Sequence, residues 1–121
     1  MKGYTEFGKF IRKKMIDHNE NLMELGKLLN VSTAFVSAVL TGNKSIPDGW
    51  DEILAEHYKL NAEEKNALCD AYCNTKSSIR IEMDSTSLPQ RRLAIQFQRK
   101  LNSLSDEEIK SLFEILDEEG K

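Results

Sequence analysis

Four small side chains, Thr33, Ala34, Ser37 and Ala38, recur at the spacing that lays them along one face of a helix. They supply two hydroxyls, each able to make a single hydrogen bond, and two methyls that can touch another methyl. Such a face can make single hydrogen bonds and methyl contacts with a partner that meets it. Ser32 precedes the helix, Lys27 lies on the helix before, and Asn43 and Lys44 follow shortly after, adding a further hydroxyl, an amide and two cations around it.

The other reactive residue types do not assemble. His18 and His57 have no Cys, Asp or Ser arrangement beside them, and no glycine-rich loop is present to cradle a phosphate, so the chain is expected not to be an enzyme. Cys69 and Cys73, four residues apart, read as small apolar residues on a half-buried helical stripe. Two thiols are too few for a metal site, and a reducing compartment disfavours their disulfide. Neither a cofactor nor a metal is expected.

Length and composition bound the possibilities. The 121 residues suit one compact domain or a small domain with an appendage, and 40% apolar with 31% charged residues is ordinary for a soluble protein. The start, Met-Lys-Gly-Tyr-Thr-Glu, has no apolar leader run, and no stretch approaches the roughly 20 apolar residues of a membrane span. A cytoplasmic location is expected, with no membrane partner. The net charge of −3 argues against indiscriminate binding to nucleic acid, yet the charge is uneven. Residues 1–46 carry seven Lys or Arg against four acids, whereas the tail holds Asp106, Glu107, Glu108, Glu114, Asp117, Glu118 and Glu119. The basic end is the expected working end.

The elements that must position these groups follow from periodicity. Apolar residues at helical spacing predict helices over about 4–18, 21–29, 33–41, 49–58 and 62–74. Their inward faces are Phe7, Phe10, Ile11 and Met15; then Leu22, Leu25, Leu28 and Leu29; then Val36 and Val39; then Trp50, Ile53, Leu54 and Tyr58; and last Leu68, Ala71 and Tyr72. Ser32 is an N-cap and Gly42 a helix stop, while Asn61 with Glu64 forms a capping box. The period then changes. Ser78-Ile79-Arg80-Ile81-Glu82-Met83-Asp84 alternates strictly and predicts a half-buried strand, followed by a turn at 84–87. Two more helices are expected over about 90–102 and from a Ser105/Glu108 capping box to Glu118.

The run Leu25-Gly26-Lys27-Leu28-Leu29-Asn30-Val31-Ser32-Thr33-Ala34-Phe35-Val36-Ser37-Ala38-Val39-Leu40-Thr41-Gly42 resembles the helix-turn-helix of the Xre/Cro/C1 family of phage and bacterial repressors. Leu25, Gly26, Val31, Ser32, Val36, Ser37 and Gly42 meet the family pattern, Pro47 follows as is typical, and the resemblance spans about residues 5–72. It implies a five-helix, repressor-like helix-turn-helix domain over 1–75; with the single β-strand and two C-terminal helices expected from periodicity over 76–121, the fold is expected to be mainly α. The resemblance also implies sequence-specific binding of double-stranded DNA in the major groove, with Ser32, Thr33, Ala34, Ser37, Ala38, Lys27, Asn43 and Lys44 as contact residues. Three positions depart from the pattern. Leu22 stands where the family often has a capping, phosphate-binding glutamine, Asn30 replaces the turn glycine, and Leu40 replaces a glutamate. The helix also offers no Arg, Gln or Asn for bidentate base pairing, so each half-site is expected to be read weakly.

A lone strand leaves its backbone groups unpaired, which points to pairing with the same strand of a second molecule. A homodimer is therefore expected through residues 78–84 and the C-terminal helices, with Ile79, Ile81, Met83, Phe97 and Phe113 at its interface. The combined expectation is a dimeric repressor on a near-palindromic operator. The alternative is a protein-interaction module, antitoxin-like or adaptor, that reuses the helix-turn-helix fold.

Overall fold

Helices begin where a side chain satisfies the first orphan amides. The computed structural model describes residues 3–117, and in it Thr5, Asn21, Ser32, Asn61, Ser87 and Ser105 each accept a hydrogen bond from the backbone N–H three residues on. Glu24, Glu64, Gln90 and Glu108 return the favour by accepting from the N–H of the capping residue, which completes four capping boxes. The helices are α1 (Glu6–Asp17), α2 (Leu22–Leu29), α3 (Thr33–Leu40), α4 (Trp50–His57), which starts after Gly49 without a side-chain cap, α5 (Ala62–Thr75), α6 (Leu88–Lys100) and α7 (Asp106–Asp117). A short 3-10 turn, Leu101–Ser103, separates α6 from α7. Glu118, to which the last helix was expected to run, lies outside the described residues, as do Lys2 and Glu119.

The ends of α1 to α4 are equally local in origin. Asn19, Asn30, Gly42 and Lys59 all have positive φ, between 52° and 84°. At each, two N–H groups turn back onto the last carbonyls: Asn30 and Val31 donate to Lys27 and Gly26, and Gly42 and Asn43 donate to Val39 and Ala38. Glycine occupies only one of these four left-handed positions.

The core of the N-terminal unit, which runs through Arg80, is built by α1 to α5. Phe7, Ile11 and Met15 of α1 meet Leu25, Val36, Val39, Leu40, Trp50, Leu54 and Leu68. Phe35 packs edge-on against Trp50 and Phe7 against Tyr72, both with ring centroids 6.0 Å apart. Two polar ties close the unit. The Phe7 N–H donates to Thr75 Oγ1, which joins the start of α1 to the end of α5. Lys76 donates to the Ile46 carbonyl and pairs with Asp48 at 3.0 Å.

Several expectations need correction. The alternating segment 78–84 is not a strand, and no strand occurs among the described residues. Alternation marks two faces, but a strand exists only when a neighbour takes up its amides and carbonyls; here Ile79 and Ile81 are 71% and 54% exposed in irregular backbone. Met83 is half-buried beside a turn, where its carbonyl accepts from Thr86 and Arg91. Leu28 and Ile53, expected inside, are exposed because they sit at the edges of their helical stripes. Phe10 and Leu22 only border the core. Cys69 and Cys73 are exposed rather than half-buried.

The C-terminal unit, from Ile81, holds α6 and α7, and none of its described residues is buried. Phe97 and Phe113, expected to serve a shared core, are both exposed. No helix among the described residues is by itself long and apolar enough to cross a membrane.

Candidate nucleic-acid interface

The conformation of α3 is fixed from its N-terminus. Asn30 takes φ 60°, which stops α2, and Ser32 then starts α3 by accepting from the Phe35 N–H at 3.0 Å. The axes of α2 and α3 meet at 99°, within the range of helix-turn-helix pairs. Gly26 permits the crossing, because a Cβ there would lie 2.8 Å from the Val31 carbonyl oxygen. On its inner side α3 is held by Val36, Val39 and Leu40, all fully or almost fully buried.

The C-terminal end is held by α1. The Thr5 N–H donates to the Leu40 carbonyl at 3.0 Å, and the same threonine's hydroxyl caps α1. Gly8 packs directly against Leu40. The outer surface of α3 is therefore presented by a helix tied at both ends and along one side.

That surface contains the residues expected from sequence. Ser32, Thr33 and Ala34 are exposed, and Ser37 and Ala38, one turn on, are half-buried. Lys27 on α2 and Asn43 and Lys44 beyond α3 are exposed. The Ser32 hydroxyl already accepts one bond, which leaves its proton for another partner. Asn43 is steadied by a weak bond from its amide to Thr41 Oγ1, and Thr41 in turn donates back to the Ser37 carbonyl. The N–H groups of the first α3 turn add partial positive charge beside Thr33 and Ala34. Chemically, the patch can donate hydrogen bonds, accept methyl contacts and attract anions.

On α1, Lys9 and Lys13 are exposed, while Lys14 is committed to Glu64 of α5. That ammonium, with the Asn61 amide, holds the Glu64 carboxyl below its ordinary pKa. Glu20 accepts from the Tyr58 hydroxyl and pairs with His57 at 2.7 Å, which ties the α1–α2 turn to the end of α4. Burial and the Glu20 carboxylate push the Tyr58 phenol far above its usual range. The Cys69 and Cys73 sulfurs lie 4.0 Å apart, and partial desolvation of the exposed Cys69 thiol by its neighbours, together with its contact to Cys73, raises its pKa. Among the described residues no group of three or more His, Cys, Asp or Glu is arranged to hold a metal ion.

Sequence reasoning overlooked the residues that hold α3 from behind, Thr5 and Gly8. A signal existed: Gly8 interrupts an otherwise well-formed helical pattern, and such a glycine often marks close approach of another backbone. Of the expected dimerisation residues, Ile79 belongs to the N-terminal unit and Ile81, Met83, Phe97 and Phe113 to the C-terminal unit. Comparison with protein-family models, with curated proteins and with solved structures yields no match for this chain.

Proposed function

We propose that this protein is a DNA-binding transcriptional regulator of the Xre/Cro/C1 type, which places α3 in the major groove and represses by occluding a promoter. One observation carries the reading. Val36, Val39 and Leu40 anchor α3 on one side, while Ser32, Thr33 and Ala34 stand open on the other. An amphipathic helix with a covered aliphatic side and an uncovered small, polar side, set at 99° to its predecessor, fits the docking geometry of a recognition helix.

Lys27, Asn43 and Lys44 supply phosphate and backbone contacts that set the register, and Thr33, Ala34, Ser37 and Ala38 read bases. The base contacts are few, so useful affinity comes from two half-sites engaged together in a homodimer. The operator is then a near-palindrome with half-sites about 34 Å apart or a multiple of that.

The uncharged α3 face, Thr-Ala-Phe-Val-Ser-Ala-Val-Leu, favours a second reading as an antitoxin-like or adaptor module that grips a protein. A gel shift with the duplex upstream of the protein's own coding sequence separates the two. The DNA reading expects a complex that weakens steeply with salt and that fails when Thr33, Ser37 and Lys44 are changed to Ala. A complex unaffected by that triple change would contradict the placement of the reading face.

A further inference from the structure

Cys69 and Cys73 are the only cysteines of the chain, and both are exposed on α5. One helical turn brings their sulfurs to 4.0 Å. The helix that carries them is fixed from its other side: Leu68 is buried, Tyr72 packs on Phe7, and Thr75 accepts the Phe7 N–H. The two thiols thus stand side by side toward solvent on a backbone that the core holds still.

Two common fates of a thiol pair are opposed here. A disulfide needs Cβ atoms about 3.5–4.5 Å apart, whereas residues one turn apart in a helix hold theirs at about 5–6 Å. Oxidation would therefore have to break the turn that carries Tyr72. A structural zinc ion needs four ligands, and among the described residues no group of three or more His, Cys, Asp or Glu is arranged to hold a metal ion. A cation also needs thiolates, while desolvation, the Cys73 thiol and the Asp51 and Asp70 carboxylates all favour the protonated Cys69 thiol.

A different ligand is saturated by two thiols. A trivalent arsenic centre with one carbon substituent has two exchangeable hydroxyls, and two thiols displace both. Two As–S bonds form, two As–O and two S–H bonds break, and two water molecules carry the protons away, with arsenic trivalent throughout. At about 2.3 Å per bond, the length of a zinc–thiolate bond, one atom reaches both sulfurs across their 4.0 Å separation. We infer that Cys69 and Cys73 form a binding site for monosubstituted trivalent arsenicals, closed across one turn of α5. The site stands apart from α3 and does not depend on the reading of that helix.

Phenylarsine oxide, which hydrates to such a centre, is the probe. The reduced full-length protein is mixed with one equivalent, in the presence of glutathione as a competing monothiol, and weighed intact by mass spectrometry. The wild type should carry one phenylarsenic group in place of the two thiol hydrogens. Cys69→Ser and Cys73→Ser, both at exposed positions, should keep the wild-type circular dichroism and hold the group at least about a hundredfold more weakly, because the second thiol is no longer supplied at high effective concentration. Melting temperature separates a site built by the fold from two cysteines that an unfolded chain would offer equally. The arsenical should raise it in the wild type, as a ligand that prefers the native state must, and leave it unmoved in the serine variants. A wild type that takes up no arsenical, a serine variant that retains it as the wild type does, or an unchanged or lowered melting temperature of the wild-type adduct would each overturn the inference.

Discussion

Gly8 of α1 lies under the carbonyl of Leu40, the last residue of α3: a Cβ built on Gly8 would sit 2.0 Å from that oxygen and 2.8 Å from its carbon. Both partners are backbone held in helices, so neither can turn aside as a side chain would. The missing methyl is what lets α1 support α3 from behind, next to the bond from the Thr5 N–H to the same carbonyl. Gly8→Ala is expected to destabilise the protein by about 3 kcal/mol, because the overlap must be relieved by shifting a helix. Urea denaturation followed by circular dichroism measures this directly. A loss below about 0.5 kcal/mol, typical of surface changes, would mean that α1 and α3 are not in this contact.

The turn after α4 holds Lys59 at φ 52°, where its Cβ crowds its own backbone. The cost of the left-handed conformation exceeds the entropy that glycine adds to the unfolded chain. Lys59→Gly should therefore raise stability by about 0.5–1 kcal/mol, visible as a higher melting temperature. Asn19 and Asn30, in the same conformation, should gain less from the same change, since asparagine tolerates it better.

Acid should weaken the protein through Glu64 and Glu108. The Glu64 carboxyl is held low by the Lys14 ammonium and the Asn61 amide, and the Glu108 carboxyl by the amide and hydroxyl of Ser105. A carboxylate whose folded pKa lies below its unfolded value stabilises the fold at pH above the unfolded value and loses that contribution as pH falls through the folded one. Melting temperature should thus hold steady from pH 7 to about 5 and fall below about pH 4.5. In Glu64→Gln the melting temperature at pH 7 should be lower and its fall in acid shallower. An acid fall as steep as in the wild type would show that Glu64 is not held by Lys14.

Much of the N-terminal unit was legible because its signals are local. Ser32, Asn61 and Ser105 announced helix starts through hydrogen bonds made within three residues, and Gly42 announced a stop through its own backbone. Asn30 at φ 60° likewise follows from what asparagine tolerates. Leu28 and Ile53 were misplaced at the edges of their helical stripes, and the larger gaps concern partners. Ile79, Ile81 and Met83 alternate as a strand must, but alternation does not create the neighbouring backbone that a strand needs. Phe97 and Phe113 recur at helical spacing and lie on exposed stripes in the single chain, where spacing shows that a stripe exists but leaves its cover to another partner. The tertiary supports of α3 were hidden for the same reason: Thr5 and Gly8 act on a carbonyl some 30 residues away in sequence.

The most direct test of the account is selection from random duplexes with the full chain and with Ala34→Glu. Ala34 is exposed on the first turn of α3, where a carboxylate suits the helix dipole and should leave the melting temperature unchanged, yet faces the phosphates of any duplex in the groove. The account predicts that the wild type enriches a near-palindromic motif and that Ala34→Glu enriches none while staying folded. Enrichment of the same motif by the folded Ala34→Glu protein, or no enriched motif from the wild type at low salt, would contradict it.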